Sequence, residues 1–425
     1  MSPSKKNFIA NLCSTFFRIL SAFIIIPFYI KYLGENLYSD WIVIFSISSL
    51  FEIANFGINQ GVNNQYSIMY NSGQKNSRLL MTNAISLILI IYFISIISVN
   101  ILWNTLDIYR FFSIDSLSKD NTIIIISFLI SKIFIDIIIG ILCSHFFALD
   151  KNFYSIIINL VKYIFEFSII IILLSLGYSL NNVSMGIFLN SLLIMLLIFF
   201  YIKLNIQKIK DYVPNKKILS LIIKPSAGFS LLTISELILN HGFIYIAKIF
   251  FSNNFLILWN TSRTLVNYIR SFQGLITSSV MPSLNVYFSK GKKSDFIALY
   301  KKTNVIMLIS SLILVSIIFI LKEYIWIYWL GDSLIISKEL INYLLIGALL
   351  SSFWIVKTTL IASINKHLQY SFIYFCTAIF SIVLFIVLNS IVKVDYILLP
   401  LFLLFSHISS IIYTSIYTKK IILKS

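Results

Sequence analysis

Long apolar runs, broken by short clusters of charge, Asn, Gly and Pro, fill the chain from end to end. At roughly 20 residues per membrane-spanning helix, the pattern predicts twelve spans. They lie near 8–31, 41–62, 79–103, 121–145, 154–177, 183–202, 226–251, 255–282, 303–323, 339–363, 369–391 and 396–418. The longest uncharged stretch, Phe167 to Ile202, exceeds one helix and divides at the turn-rich segment Gly177-Tyr178-Ser179-Leu180-Asn181-Asn182. The first run continues through Pro27, Phe28 and Tyr29 without a small-residue cleavage site after Ile26, so it reads as a span and not a cleaved signal.

Composition agrees with that pattern. Of 425 residues, 59% are hydrophobic and 12% charged, against about 25% charged in a soluble domain. This excludes an ordinary cytosolic enzyme and a disordered chain, and predicts an all-α polytopic membrane protein. Cys13, Cys143 and Cys376 all lie in apolar runs, and the histidines are isolated, so no disulfide framework, metal site or cofactor motif is expected.

The net charge of +17 could suggest nucleic acid, but membrane topology accounts for it. With the N-terminus inside, the inner segments hold 20 Lys and Arg and the outer loops 6. Basic loops stay on the cytoplasmic side, so both termini are expected in the cytoplasm and no nucleic acid is needed. Trp41, Trp103, Trp259, Trp326 and Trp329 fall at predicted outer ends, where an interfacial belt would sit.

An internal repeat is also expected. Aligning Gly73 with Gly291, an offset of 218, carries Tyr70 onto Phe288 and Lys75 onto Lys293. Six spans per half give both halves the same orientation, a known transporter plan. The predicted domains are an N-terminal six-helix lobe at 1–202, a basic cytoplasmic linker at 203–224 and a C-terminal six-helix lobe at 225–425.

Eleven ionisable residues fall within the spans. At about 2.5–3.5 kcal/mol each, exposing them all to lipid would cost on the order of 30 kcal/mol. Lys132 with Asp136 and Lys162 with Glu166 are spaced i,i+4, so each pair can share a helix face, as an ion pair or as part of a proton or substrate path. Lys248 and Lys357 lie nearer span ends, where they could snorkel to the headgroups or face the interior.

Arg18, Glu52, Glu236, Arg263 and Arg270 have no such local partner, and each lies on a polar stripe at helical spacing. Asn7, Asn11 and Ser14 accompany Arg18; Ser48, Asn55, Asn59 and Asn63 accompany Glu52. Ser226, Ser230, Thr233 and Asn240 accompany Glu236; Asn260, Asn267 and Thr277 accompany Arg263 and Arg270. In a membrane such a face is expected to be a cavity wall or an inter-helix bonding surface. The candidate substrate-binding residues are therefore Arg18, Glu52, Asn55, Asn59, Glu236, Asn240, Lys248, Arg263, Asn267 and Arg270, with no catalytic or metal-binding residue. Spans 1, 2, 7 and 8 should line the cavity, and the other eight should form its walls. Three of the chain's 5 arginines lie in spans, against 4 of its 28 lysines. Arginine's planar fork suits phosphate oxygens.

The run Tyr32-Leu33-Gly34-Glu35-Asn36-Leu37-Tyr38-Ser39-Asp40-Trp41, then Phe56-Gly57-Ile58-Asn59-Gln60-Gly61-Val62-Asn63 and Gly73, resembles the first two spans of bacterial O-antigen and polysaccharide flippases. These form part of the multidrug/oligosaccharidyl-lipid/polysaccharide exporter superfamily. Arg18 with Pro27 and Met281-Pro282 fit the same resemblance. Two departures stand out: Asn55 replaces a usual acid two residues before Gly57, and Ser39 replaces glycine after Tyr38.

The resemblance implies two lobes forming a V-shaped, alternating-access cavity in the bacterial inner membrane. It also implies a polyprenyl-diphosphate-linked oligosaccharide, an O-antigen or capsule repeat unit, as substrate. Membrane lipids, a coupling cation (H+ or Na+) and the polysaccharide polymerase machinery are the remaining expected partners. The main rival is a cation-coupled multidrug-type antiporter of the same fold. A polymerase or ligase enzyme is disfavoured because the longest outer loop, 104–120, lacks His and Cys. A structural scaffold would not need arginine inside its spans.

Overall fold

The structure, a computed structural model, describes residues 3–424 apart from 56, 72–76, 106–108, 110, 111, 113, 150, 206–215, 290, 291, 332–335 and 365. The helices are α1 Pro3–Ser49, α2 Ile58–Asn71, α3 Ser77–Thr105, α4 Lys119–Ala148, α5 Asn152–Ser175, α6 Leu180–Asn205 and α7 Lys216–Phe250. They continue with α8 Asn253–Ser289, α9 Lys293–Leu330, α10 Lys338–Ser352, α11 Ile355–Ser363, α12 Leu368–Val392 and α13 Leu399–Lys424. Short 3-10 segments, Leu50–Asn55 and Tyr396–Leu398, precede α2 and α13. No strand occurs among the described residues. Hydrocarbon offers backbone N–H and C=O groups no partners, so a single spanning segment must satisfy its own as a helix. The chain is a multi-pass membrane protein, with ten segments among the described residues long and apolar enough to span.

Each predicted span is found, with three changes of continuity, one of them the break of the 339–363 span into α10 and α11. The first two merge in α1 and are separated only by a kink at Gly34, whose φ is 71° and ψ 171°. The second does not run unbroken to residue 62: after the 3-10 segment the chain turns at Gly57, with φ 66°, into α2. Both glycines belong to the motif noted above, and absence of a Cβ is what admits the positive φ. Among described helices of span length, only α8 is too polar to qualify by composition, because its arginine and asparagine stripe dilutes its apolar content.

By contacts the chain divides into two units, Met1–Thr233 and Ile234–Ser425. Ten of the 22 residues of the expected basic linker, 206–215, lie outside the described residues, and α7 begins at Lys216. Gly73 and Gly291, which anchor the internal alignment, also lie outside them.

In the first unit α4 packs against α1, α2, α3, α5 and α6. Gly140 lies where α4 crosses α2. A Cβ there would overlap the Asn59 side-chain amide. Gly140→Val should therefore cost about 1–3 kcal/mol through overpacking. Thermal melting of the detergent-solubilised protein would report it, and an unchanged melting temperature would show that α2 yields freely.

In the second unit α8 packs against α9, α10 and α11. Gln273, fully buried on α8, holds this packing together. Its Nε2 donates to Ser311 Oγ and to the Ala348 carbonyl, both at 3.0 Å, and its Oε1 accepts from Ser351 Oγ at 2.7 Å. An apolar core of Leu284, Phe296, Tyr300, Met307, Val356 and Leu360 closes one end of the same helices.

The tryptophans correct an expectation. Trp41, Trp103, Trp259, Trp326 and Trp329 are buried against protein and do not form an exposed belt. Large aromatic rings at helix ends can bury more area against neighbouring helices than at the headgroup level, and here they do.

Candidate functional site

In the second unit, α7, α8, α10, α12 and α13 converge on a pocket with a volume of about 410 Å³, its open mouth included. Its polar lining comprises Asn240, Arg263, Asn267, Arg270, Tyr374, Ser406 and His407. Arg263 and Arg270 are seven residues apart, nearly two turns at about 3.6 residues per turn, which is why both reach one cavity. Arg263 is buried, and its two terminal nitrogens donate to Asn240, at 2.7 Å to the carbonyl and 2.6 Å to Oδ1. Its guanidinium also lies 5.6 Å from the Trp259 ring centroid. Arg270 places one terminal nitrogen 3.1 Å from His407 Nε2, while its Nε has no partner among the described residues. The Trp354 indole N–H donates to His407 Nδ1 at 3.2 Å. Glu236 does not line the pocket; it accepts from the Tyr374 hydroxyl at 2.8 Å.

The first unit holds a different arrangement. Lys132 pairs with Asp136 and with Glu166, each at 3.2 Å, and Lys162 pairs with Asp136 at 2.7 Å. The expected Lys132–Asp136 pair is present. In place of the expected Lys162–Glu166 pair along α5, each lysine reaches across to a carboxylate of the other helix. Packing α4 on α5 sets the two i,i+4 faces against each other, so charges of opposite sign alternate through the interface. Arg18, on α1, lies 4.4 Å from the centroid of the Tyr163 ring, and the Lys162 amine lies 5.2 Å from the same ring. Arg18 and Glu52 are both exposed in this unit.

The candidate residues thus separate into groups. Asn240, Arg263, Asn267 and Arg270 come together in one pocket, with Glu236 attached to it through Tyr374. Lys248 does not line it; the amine is buried and donates to Asn253 Oδ1 at 2.9 Å, at the turn into α8. Asn55 caps α2 by accepting from the Asn59 N–H at 3.1 Å, and Asn59 packs on Gly140 with its Oδ1 unpartnered among the described residues.

The expected division of labour also changes. Spans 10, 11 and 12, read from the sequence as outer wall, supply Leu344, Tyr374, Ser406 and His407 to the pocket. An apolar span can present one polar side chain at a helix crossing without carrying a stripe, so stripe counting misses it. Tyr374 and His407, with Trp354 bonded to His407, are the residues missed. One signal was available: Trp354 is the only one of the six tryptophans outside the predicted outer ends.

No family model matches the chain, and no curated protein does. Its fold is shared with solved transporters. The structure is similar to a crystal structure of MATE in complex with MaL6, with TM-score 0.74 and 12% identity, covering 100% of this chain and 97% of that one. It is equally similar to an inward-facing multidrug resistance MATE family transporter of the MOP superfamily, with TM-score 0.74, 12% identity and 98% of each chain covered. A MOP superfamily transporter from Pyrococcus furiosus, described as having a binding pocket of reverse polarity that suggests a different function, matches with TM-score 0.68 and 13% identity. That match covers 99% of this chain and 96% of the other. The twelve-helix MATE fold is therefore the fold of this protein.

Proposed function

We propose that this protein is a transporter that moves a negatively charged, lipid-linked substrate across a bacterial inner membrane. The class of substrate we favour is an oligosaccharide on a polyprenyl diphosphate, passed from the cytoplasmic to the periplasmic leaflet. The observation that carries this reading is the pocket of the second unit, where two arginines and a histidine converge with no carboxylate in the lining. Such a surface attracts phosphate oxygens and repels organic cations.

A second reading is a cation-coupled multidrug-type antiporter, with H+ or Na+ as the driving ion. It is favoured by the names of the structural neighbours, which include multidrug resistance MATE transporters. Glu52 and Glu236 are the carboxylates that could serve such coupling in either reading.

Removing the gene from its host separates the two. Loss of surface glycan, with its lipid-linked precursor retained on the cytoplasmic leaflet, supports the first. Intact glycan with new sensitivity to lipophilic cationic dyes supports the second and sinks the first.

The orientation is testable separately. The 20-to-6 distribution of basic residues supports a cytoplasmic location for both termini and the 203–224 segment. Reporter fusions after Lys217 and Lys420 should be active only with a cytoplasmic reporter, and a periplasmic signal at either point would reverse the topology.

A further inference from the structure

We infer that His407 and Arg270 form a two-donor seat for a single oxyanion, with Trp354 as the positioning residue that sets the histidine's proton. A neutral imidazole has one N–H and one acceptor nitrogen. The Trp354 indole is a donor only, and it faces His407 Nδ1 at 3.2 Å. With the Trp354 contact satisfied, Nδ1 is the acceptor and the proton resides on Nε2. Arg270 is likewise a donor only, yet its terminal nitrogen stands 3.1 Å from that same Nε2. Two donors therefore converge on the pocket with no acceptor between them.

The surroundings do not relieve this. Arg270 Nε is buried and unpartnered among the described residues. Asn240 Oδ1 and its carbonyl are taken by Arg263, and the other acceptors in the lining, the Ser406 and Tyr374 hydroxyls and the Asn267 amide, carry no charge. Glu236, held by Tyr374, lies outside the lining. What the pocket lacks is an acceptor carrying negative charge. A phosphate oxygen or a carboxylate supplies it, accepting from Arg270 and from His407 Nε2–H together. The ligand class is thus an oxyanion, which the diphosphate of a lipid carrier or the carboxylate of an acidic sugar could provide. This deepens the substrate reading above, on which it rests for the pocket facing the transported molecule.

The test uses the purified full-length protein in detergent, titrated calorimetrically with inorganic pyrophosphate and separately with glucuronate. At least one should bind. His407→Gln and Trp354→Phe should each weaken it about tenfold, equivalent to about 1.4 kcal/mol. Trp354→Phe retains every charge and removes only the indole donor, so it isolates the positioning role. Binding of pyrophosphate supports the seat and the diphosphate reading together. Binding of glucuronate alone supports the seat and removes the diphosphate. Binding of neither, or binding unchanged in both variants, overturns the seat, whatever glycan export shows. Nitrogen NMR of histidine-labelled protein gives an independent readout that needs no ligand. His407 should show a protonated Nε2 and an unprotonated Nδ1, with the resonance assigned by its shift in Trp354→Phe should His407→Gln not fold. The opposite tautomer overturns the proposal.

Discussion

Arg270→Ala should reduce export of a negatively charged substrate to near background while the protein remains in the membrane. Arg263 and Arg270 share the pocket but are not equivalent. The two terminal nitrogens of Arg263 are both engaged by Asn240, which ties α8 to α7. Arg270 has an Nε without a partner among the described residues and shares a crowded contact with His407, so it is the arginine available to substrate. A charge-assisted hydrogen bond in such a place contributes about 1.5–3 kcal/mol, which is roughly ten- to hundredfold in affinity. Arg270→Lys should recover only part of the activity, because charge survives and the planar fork does not. Arg263→Ala should instead lower thermal stability, since Asn240 loses its partner. Measuring surface glycan and membrane protein level side by side checks the two Arg270 variants, and melting of the solubilised protein checks Arg263→Ala. Full export by Arg270→Ala at normal expression would show that this arginine is structural.

Asp136→Ala is expected to have the largest effect on stability. Asp136 lies between Lys132 and Lys162, at 3.2 and 2.7 Å, and the Lys162 side chain is only 4% exposed. Removing one member of a buried pair costs about 3–5 kcal/mol, chiefly because the remaining charge is left buried and uncompensated. Lys132 retains Glu166 at 3.2 Å, so the loss falls mainly on Lys162. The double variant Asp136→Leu with Lys162→Met removes both charges and should recover most of the lost stability, since apolar replacements of similar volume are tolerated at such sites. Melting of the solubilised protein is the measurement. If Asp136→Ala melts with the wild type, the network carries no stability and its charges must be hydrated from a cavity.

The two sites differ in how far they could be read in advance. Lys132 and Asp136 are four residues apart on one helix, so their pairing is local and visible in spacing. The links from Lys132 to Glu166 and from Lys162 to Asp136 cross between α4 and α5, and the spacing instead suggested Lys162 with Glu166. Only the relative rotation of two helices chooses between those partners. In the second unit the stripe on α8 marked Arg263 and Arg270, because an arginine within a span needs a polar destination. Nothing in the apolar run around His407 marked it as the group that destination would contain.

Sequence by itself determined the class of this protein. Apolar runs of span length, interrupted by charge and turn residues, leave helices crossing a membrane as the one way to satisfy the backbone. Gly34 falls between the first two predicted spans, whereas the break at Gly57, inside the predicted 41–62 span, came only from the structure. Tertiary structure alone decided which polar groups meet. Burial of five tryptophans against neighbouring helices, the choice of ion-pair partners between α4 and α5, and the convergence of Arg270, His407 and Trp354 from α8, α13 and the turn between α10 and α11 all depend on helix rotation and crossing. Hydrophobic spacing constrains those quantities weakly in a chain whose outer faces are as apolar as much of its interior.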